Sequence, residues 1–269
     1  MASKTAEKNI KVYVPDAGPE GVKLTAAALA AHLGVELTED KDAADAQKAD
    51  GLLLVYDESG LCLEGGELKM RADLMSMLPR LKQSNLEREM LIKAAKIKGE
   101  AHPMLLDATA GMGEDSLLLA AAGFNVVLYE YDPVIAALLR DALERAGQVA
   151  ELAQIVNRMK LVEGDSIAAM HKIAADRDRV PDVILLDPMF PERNKSALIK
   201  KKFQLLQQLE SPCDNEKELL EAAMSIMPRK IVIKRPLKGP YLADIKPGYS
   251  LSGKAIRYDV FTYSSSQSR

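Results

Sequence analysis

Short, almost purely apolar runs recur along the second half of the chain, separated by stretches whose apolar positions repeat at helical spacing. Val183-Ile184-Leu185-Leu186 is the clearest run; with no polar alternation, it reads as a strand buried on both faces. The same reasoning predicts strands over 104–107, 125–130, 159–163, 183–187 and 230–234. Helices are predicted between them over 115–122, 133–145, 166–175 and 195–209, with another over 216–225. Pro133 suits a first helical turn, where its missing N–H would have had no partner. This alternation predicts a parallel sheet covered on both faces by helices. After Lys234 the rhythm breaks at Pro236, Gly239 and Pro240. Residues 256–263 then read as a closing strand, expected to lie antiparallel at the sheet edge.

The first seventy or so residues show a different, smaller pattern. Ile10 to Val14 alternates like a strand and stops at a Pro-Asp-Ala-Gly turn. Residues 25–33 are Ala/Leu-rich and helical up to Gly34. Residues 51–56 and 61–63 flank Asp57-Glu58-Ser59-Gly60 as a β-hairpin would. From about residue 73 to 98 the spacing is helical and the latter part basic. The expected organisation is a small N-terminal α/β subdomain over 1–72, a helical linker over 73–100 and the main domain over 101–269. A serine-rich tail over 264–268 is expected to fray.

Composition narrows the class. The chain has 269 residues, 48% hydrophobic and 28% charged, with no run of about 18 apolar residues that would suggest a membrane span. The N-terminal segment has no apolar signal core. Cys62 and Cys213 are far apart, and neither lies in a metal-type spacing. His32, His102 and His171 stand alone, so no metal site is expected. A reduced, cytoplasmic protein is the expectation. Net charge is only −3, but it is unevenly spread. Residues 190–269 hold 15 Lys/Arg against 8 Asp/Glu, leaving 21 against 31 elsewhere. A basic C-terminal third is compatible with a phosphate-bearing partner; a solvated basic helix face would give the same count.

Candidate chemistry gathers where predicted strands end. Asp107-Ala108-Thr109-Ala110-Gly111-Met112-Gly113 links the first strand of the large domain to its first helix, and its small residues allow a ligand close to the backbone. In such sheets ligands bind beyond the carboxyl ends of the strands. Glu130 ends the next strand and suits the two hydroxyls of a ribose. A dinucleotide would want G-x-G-x-x-G, but here the sixth position is Ser116. Glu114 and Asp115 also place negative charge where a pyrophosphate would lie. S-adenosylmethionine carries a cationic sulfonium and no phosphate, so Asp107, Glu114 and Asp115 favour it over the dinucleotide. At the third strand end, Asp165 suits the exocyclic amine of adenine, and Asp165 or Ser166 equally suits a helix N-cap.

At the fourth strand end stands Asp187-Pro188-Met189-Phe190. A carboxylate, a ring-locked backbone and an aromatic face suit a flat, amine-bearing ring such as an unstacked nucleobase. The plainer account is a strand ended by a proline turn. Arg193, Lys195, Lys200, Lys201 and Lys202 follow directly. With Lys234, Arg235 and Lys238 they could line a rim for the phosphates of a partner, although Lys200 to Lys202 also read as a solvated helix face. Tyr241, Tyr249 and Tyr258 read as edge-strand packing.

These residues resemble a known family. The D-A-T-A-G-x-G loop, the D-P-M-F-P strand end with Lys195-Ser196-Ala197-Leu198, Lys234-Arg235-Pro236 and Arg257-Tyr258-Asp259 are similar to RsmJ, a family of bacterial methyltransferases acting on small-subunit ribosomal RNA. The resemblance runs from about residue 104 to 263. It implies an α/β, Rossmann-like class I methyltransferase fold with a mostly parallel seven-stranded sheet. It also implies methyl transfer from S-adenosylmethionine to the exocyclic N2 of a guanine in 16S ribosomal RNA, naked or within the small subunit. By motif match the cofactor contacts are Glu114 with Asp115, Glu130 with Tyr131, Asp165 with Ser166, and Asp187, beside Asp107, Gly111 and Gly113 of the glycine loop. Glu114, Tyr131 and Asp165 depart from the family's usual residues. Asp187 and the Pro188 carbonyl are expected to accept the hydrogens of the guanine amine, and Phe190 to stack on its ring. The residues alone leave other readings open: an adenine acceptor in RNA or DNA, or an RNA-binding assembly factor with a vestigial cleft.

Overall fold

A computed structural model of the chain describes residues 9–15, 19–177, 179–188, 205, 209 and 215–263. They form two compact units. The first is built on a five-stranded sheet. Its strands are β1 (Ile10–Tyr13), β2 (Leu37–Thr38), β3 (Leu52–Asp57), β4 (Gly60–Gly65) and β5 (Leu68–Met70), in the order β2-β1-β3-β4-β5. The parallel pairs β1–β2 and β1–β3 are joined through α1 (Glu20–Leu33) and α2 (Lys41–Asp50), and β3, β4 and β5 form an antiparallel meander. Residues 132–145 also group with this unit, as most of helix α6 (Pro133–Gly147). The Asp132 carboxylate caps that helix by accepting from the N–H groups of Val134 and Ile135 at 2.9 and 3.2 Å. Near its other end, Arg145 pairs with Asp141 at 2.8 Å and donates to the Ala72 carbonyl at 2.6 Å. Gly60 permits the approach: a Cβ there would lie 2.6 Å from Arg145 Nε, and its φ is +106°.

The second unit holds a seven-stranded sheet. Its strands are β6 (Met104–Asp107), β7 (Asn125–Glu130), β8 (Met159–Glu163), β9 (Val183–Leu186), β10 (Lys230–Pro236), β11 (Tyr249–Ser252) and β12 (Ile256–Thr262), in the order β11-β12-β10-β9-β6-β7-β8. The pairs from β10 to β8 are all parallel. The predicted strands therefore appear within a residue or two of their expected ends. All four residues of β9 are buried, as an apolar run without alternation requires. On one face Leu106, Ile184, Leu186, Ile231 and Ile233 pack against Met170 of α8 (Ser166–Asp176) and against Leu219, Leu220 and Ile226 of α9 (Glu216–Ile226).

Two expectations change. The closing strand β12 is antiparallel, but it lies inside the sheet between β10 and β11, so β11 is the edge. Residues 73–98 are not one helix. They form a 3-10 turn (Met75–Met77), α3 (Gln83–Leu86) and α4 (Met90–Ala95). Pro79 interrupts the ladder, and the Asn85 side chain donates to the Pro79 carbonyl at 2.8 Å, offering the backbone an alternative to helix. Finally, α2, the short α7 (Ala150–Val156), β2, β5 and β11 had no clear pattern. The expected helix over 195–209 lies outside the described residues apart from 205 and 209.

Candidate active site

The second unit's sheet runs outward from β6 to β7 and β8, then returns to place β9 on the other side of β6, followed by β10. Beyond the carboxyl ends of β6 and β9 is the switch point, where an open α/β sheet leaves a crevice. Both singled-out motifs end there. Asp107 closes β6, paired in register with Leu185 of β9. Its Oδ2 accepts from Ser116 Oγ at 2.7 Å and its Oδ1 from the Thr109 N–H at 3.1 Å. Burial pushes Asp107 up to about 7 against the pull of those two hydrogen bonds, with the charges of Asp115 and Asp187 adding to the rise.

The loop then turns through Gly111 and Gly113, both left-handed at φ +53° and +75°, a conformation cheap only for glycine. A Cβ on Gly111 would meet nothing within 4 Å, so the space over the loop is open. The Gly111 N–H donates to Glu130 Oε2 at 2.9 Å, bringing the acidic end of β7 to that opening. Gly113 leads into α5 (Glu114–Ala121), whose first turn carries Glu114 and Asp115.

Asp187 follows β9, and its backbone N–H donates to Thr109 Oγ1 at 2.7 Å, so the glycine loop and the Asp-Pro strand end are bonded directly. Lys234 of β10 reaches between them, with Nζ 2.7 Å from Asp115 Oδ2 and 2.9 Å from Asp187 Oδ2. Burial opposes a charge on Lys234, but Asp187 and Asp115 hold its ammonium well above the ordinary lysine range. Tyr258, opposite Lys234 across β10 and β12, is 4% exposed. Burial raises its phenol, as do Asp115, Asp187 and Glu89. Glu89 is bound by Arg80 through two hydrogen bonds of 3.0 Å, and that bond, with the charges of Asp115 and Glu114, holds the Arg80 guanidinium protonated.

Seven of the expected cofactor-site residues thus lie along the glycine loop and the neighbouring strand ends, Asp107, Gly111, Gly113, Glu114, Asp115, Glu130 and Asp187, and Pro188 next to Asp187 is buried. Tyr131, next to Glu130, is 59% exposed. Asp165 is the N-cap of α8, with Oδ1 accepting from Ile167 and Ala168 at 2.8 and 3.3 Å, and Ser166 is buried beneath it. Two residues expected on a phosphate rim turn inward instead. Lys234 is committed to two carboxylates. Arg235 is 1% exposed, donates from Nε to the Pro240 carbonyl at 3.0 Å and faces Glu216 at 3.6 Å. Lys238 is exposed on the loop that follows. Phe190, Arg193, Lys195, Lys200, Lys201 and Lys202 lie outside the described residues. Sequence reasoning missed Thr109, Ser116, Arg80 and Glu89 as parts of the site. Only Thr109 carried a signal, since it is the one hydroxyl in the glycine loop.

The arrangement also revises the charge argument for the cofactor. Asp115 is neutralised by Lys234 and Asp107 is shielded in the core, so three free carboxylates do not face a ligand. What fits S-adenosylmethionine is the open, side-chain-free space over Gly111, with buried Glu130 at its rim and Asp165 at the next strand end. Among the described residues no group of three or more His, Cys, Asp and Glu is placed to hold a metal, and no helix is long and apolar enough to cross a membrane.

Comparisons with known proteins agree on one neighbourhood. Residues 33–263 match the family model described as "Putative SAM-dependent methyltransferase". The chain is 39% identical over 248 residues to ribosomal RNA small subunit methyltransferase J of Thioalkalivibrio sulfidiphilus, covering 90% of this chain and 94% of that one. It is 44% identical over 173 residues to the protein of the same name in Pseudomonas aeruginosa, covering 64% and 65%. Among solved structures, a SAM-dependent methyltransferase from Neisseria gonorrhoeae superposes with a TM-score of 0.72 at 26% identity, over 94% of this chain and 95% of that one.

Proposed function

Because the chain belongs to the ribosomal RNA small subunit methyltransferase J family of S-adenosylmethionine-dependent enzymes, we propose that it methylates the exocyclic N2 of a guanine in 16S ribosomal RNA through Asp187 and the Pro188 carbonyl. The observation that carries this reading is the bond from the Asp187 N–H to Thr109 Oγ1. It locks a carboxylate and a proline-fixed carbonyl beside the loop that would hold the methyl donor.

S-adenosylmethionine, when bound, supplies a methyl group on a sulfonium that leaves as a neutral thioether. The acceptor amine is a weak nucleophile, because its lone pair is delocalised into the guanine ring. The protein's work is therefore alignment. Asp187 and the Pro188 carbonyl accept hydrogen bonds from the two amine hydrogens, which localises the lone pair on the nitrogen and turns it toward the methyl. As the new N–C bond forms, the nitrogen becomes cationic and releases one proton to water, so no strong base is needed. A neutral leaving group also asks for no metal. Phe190 would stack on the guanine face, which must first be unpaired or flipped out. Gly111 and Gly113 would let the cofactor approach the loop, Glu130 would take the ribose hydroxyls, and Asp165 the adenine amine. Asp107, Glu114, Asp115, Tyr131 and Ser166 would complete that pocket's wall. Arg193, Lys195, Lys200 and Lys238 would meet RNA phosphates. Ribosomal RNA as substrate implies a cytoplasmic site of action.

The test is transfer of labelled methyl groups to undermethylated small subunits, to naked 16S RNA and to DNA. N2-methylguanosine should be the labelled product, and comparing the first two acceptors shows whether the enzyme needs an assembled subunit. Label recovered as N6-methyladenosine would overturn the acceptor assignment. Asp187→Ala, measured at saturating cofactor, should lower turnover by about 10- to 100-fold, as expected for losing a hydrogen bond to a charged group, while calorimetry shows the fold retained. Full turnover in that variant would remove Asp187 from the chemistry.

A further inference from the structure

The sequence set Lys234 among phosphate-binding residues, and the structure gives it other work. We propose that Lys234 is a positioning residue for methyl transfer: its ammonium bridges Asp115 and Asp187, fixing the orientation of the Asp187 carboxylate and balancing its charge. This rests on the role assigned to Asp187 above and names a residue through which that role is enforced.

The geometry joins three elements at one cation. Nζ of Lys234, on β10, lies 2.7 Å from Asp115 Oδ2 in the first turn of α5 and 2.9 Å from Asp187 Oδ2 after β9. Asp187 is therefore held twice, by its backbone N–H on Thr109 Oγ1 and by its side chain on Lys234. Fixing both ends of one short residue restrains χ1 and χ2, as an acceptor aimed at a particular amine requires. Lys234 is itself confined, with its side chain 26% exposed and Tyr258 beside it across the β10–β12 pair. A lysine so placed is spent on carboxylates before any phosphate arrives.

Charge supplies the second half of the argument. The groups facing this junction are Asp107 from β6, Glu114 and Asp115 from α5, Asp187 after β9, Arg235 on β10, Tyr258 from β12, Glu89 at the start of α4 and Arg80, which is bonded to Glu89 and acts on Asp115. Three carboxylates this close cannot all ionise cheaply without a cation. Lys234 pairs with two of them. The third, Asp107, has no such partner and is the one pushed up to about 7, chiefly by burial. Without Lys234, Asp187 would lose the partner that holds its carboxylate and would face the charges of Asp115 and Asp107 across the junction.

The test compares Lys234→Met with Lys234→Gln, whose amide keeps hydrogen bonding but not charge, and with Lys234→Arg. In cofactor-free protein, the Asp187 carboxyl is followed by 13C NMR titration, with its resonance assigned through Asp187→Asn. The expected result is an Asp187 midpoint raised by about one to three pH units in the Met and Gln variants. Turnover should fall about 10- to 100-fold at neutral pH through the lost restraint on the carboxylate, with KM for RNA near the native value. Arg should restore most of both. If Met prevents folding, Gln carries the same comparison. If Asp187→Ala is inactive but both neutral Lys234 variants keep native turnover and an unmoved Asp187 titration, the Lys234 assignment is wrong and the assignment of Asp187 stands. If KM for RNA rises with turnover unchanged, Lys234 is a phosphate contact and the proposal fails. If Asp187→Ala is itself fully active, both fall together.

Discussion

Asp107 shows how a single side chain can be costly to stability and useful to a site. It is 2% exposed and bonded by Ser116 and Thr109, yet burial pushes it up to about 7. Between the ordinary carboxylate range of about 4 and that value, the folded chain binds a proton that the unfolded chain does not. Stability therefore falls as pH rises through this window, and the full penalty is present above about 7. Asparagine is close in shape, can accept from Thr109 and donate to Ser116, and never ionises. Asp107→Asn should thus be more stable than the native chain at pH 8 by something on the order of 2–4 kcal/mol, with the gain shrinking toward pH 5. Urea unfolding at the two pH values measures it. An equal difference at both would mean that Asp107 is not the titrating group. The residue itself was legible in the sequence, because its whole loop is one continuous motif. Its proton was not, since burial depends on β9, which arrives some eighty residues later.

At the scale of elements, the loop after β10 is the most tightly specified. Arg257, on β12, donates from Nη1 to the carbonyls of Pro236, Leu237 and Gly239 at 2.9, 3.0 and 2.8 Å, and from Nη2 to that of Pro240 at 3.2 Å. Asp259 holds the same guanidinium in place at 2.9 and 3.0 Å. A buried arginine spent on loop carbonyls fixes the conformation that carries Lys238 outward. Lysine has fewer donors and no planar fork, so it cannot hold all these carbonyls. Arg257→Lys should cost about 1–3 kcal/mol and speed amide exchange at Leu237 and Gly239, which are bonded to Ala255 and Pro236. The amides of β6 and β9 should remain protected. Unchanged exchange at Leu237 and Gly239 would show that the loop does not depend on this clamp. Strands such as β9 were readable because their burial is written in consecutive apolar residues. Elements whose stability lies elsewhere were not: α2 buries only Ala44 and Gln47, and β11, Tyr249 to Ser252, is mostly exposed. The clamp was visible only as the strings Lys234-Arg235-Pro236 and Arg257-Tyr258-Asp259, with nothing local to say that the two arginines share one loop.

At the scale of the molecule, the nine described basic residues of the C-terminal third supply fewer outward charges than their number suggests. Lys230 caps α4 through the carbonyls of Ala94 and Lys96, Lys234 bridges two carboxylates, and Arg235 and Arg257 serve the loop. Among the described residues of this third, Lys217, Lys238, Lys246 and Lys254 are exposed. Charge counted along a sequence overstates what a phosphate backbone meets when arginines and lysines are also used as internal hydrogen-bond donors. Binding of the RNA acceptor should still weaken linearly with the logarithm of salt, because each neutralised phosphate releases a counterion. Lys238→Ala should reduce that slope by about one and weaken binding similarly across RNA sequences. Lys234→Gln should leave the slope unchanged while lowering turnover. Both slopes come from equilibrium binding of 16S RNA fragments between about 50 and 200 mM salt, the range over which phosphate contacts are most visible. A slope unaffected by Lys238→Ala would move the RNA contact away from the β10 loop. A slope lowered by Lys234→Gln would return that lysine to the phosphates and dissolve the division of labour between the two residues.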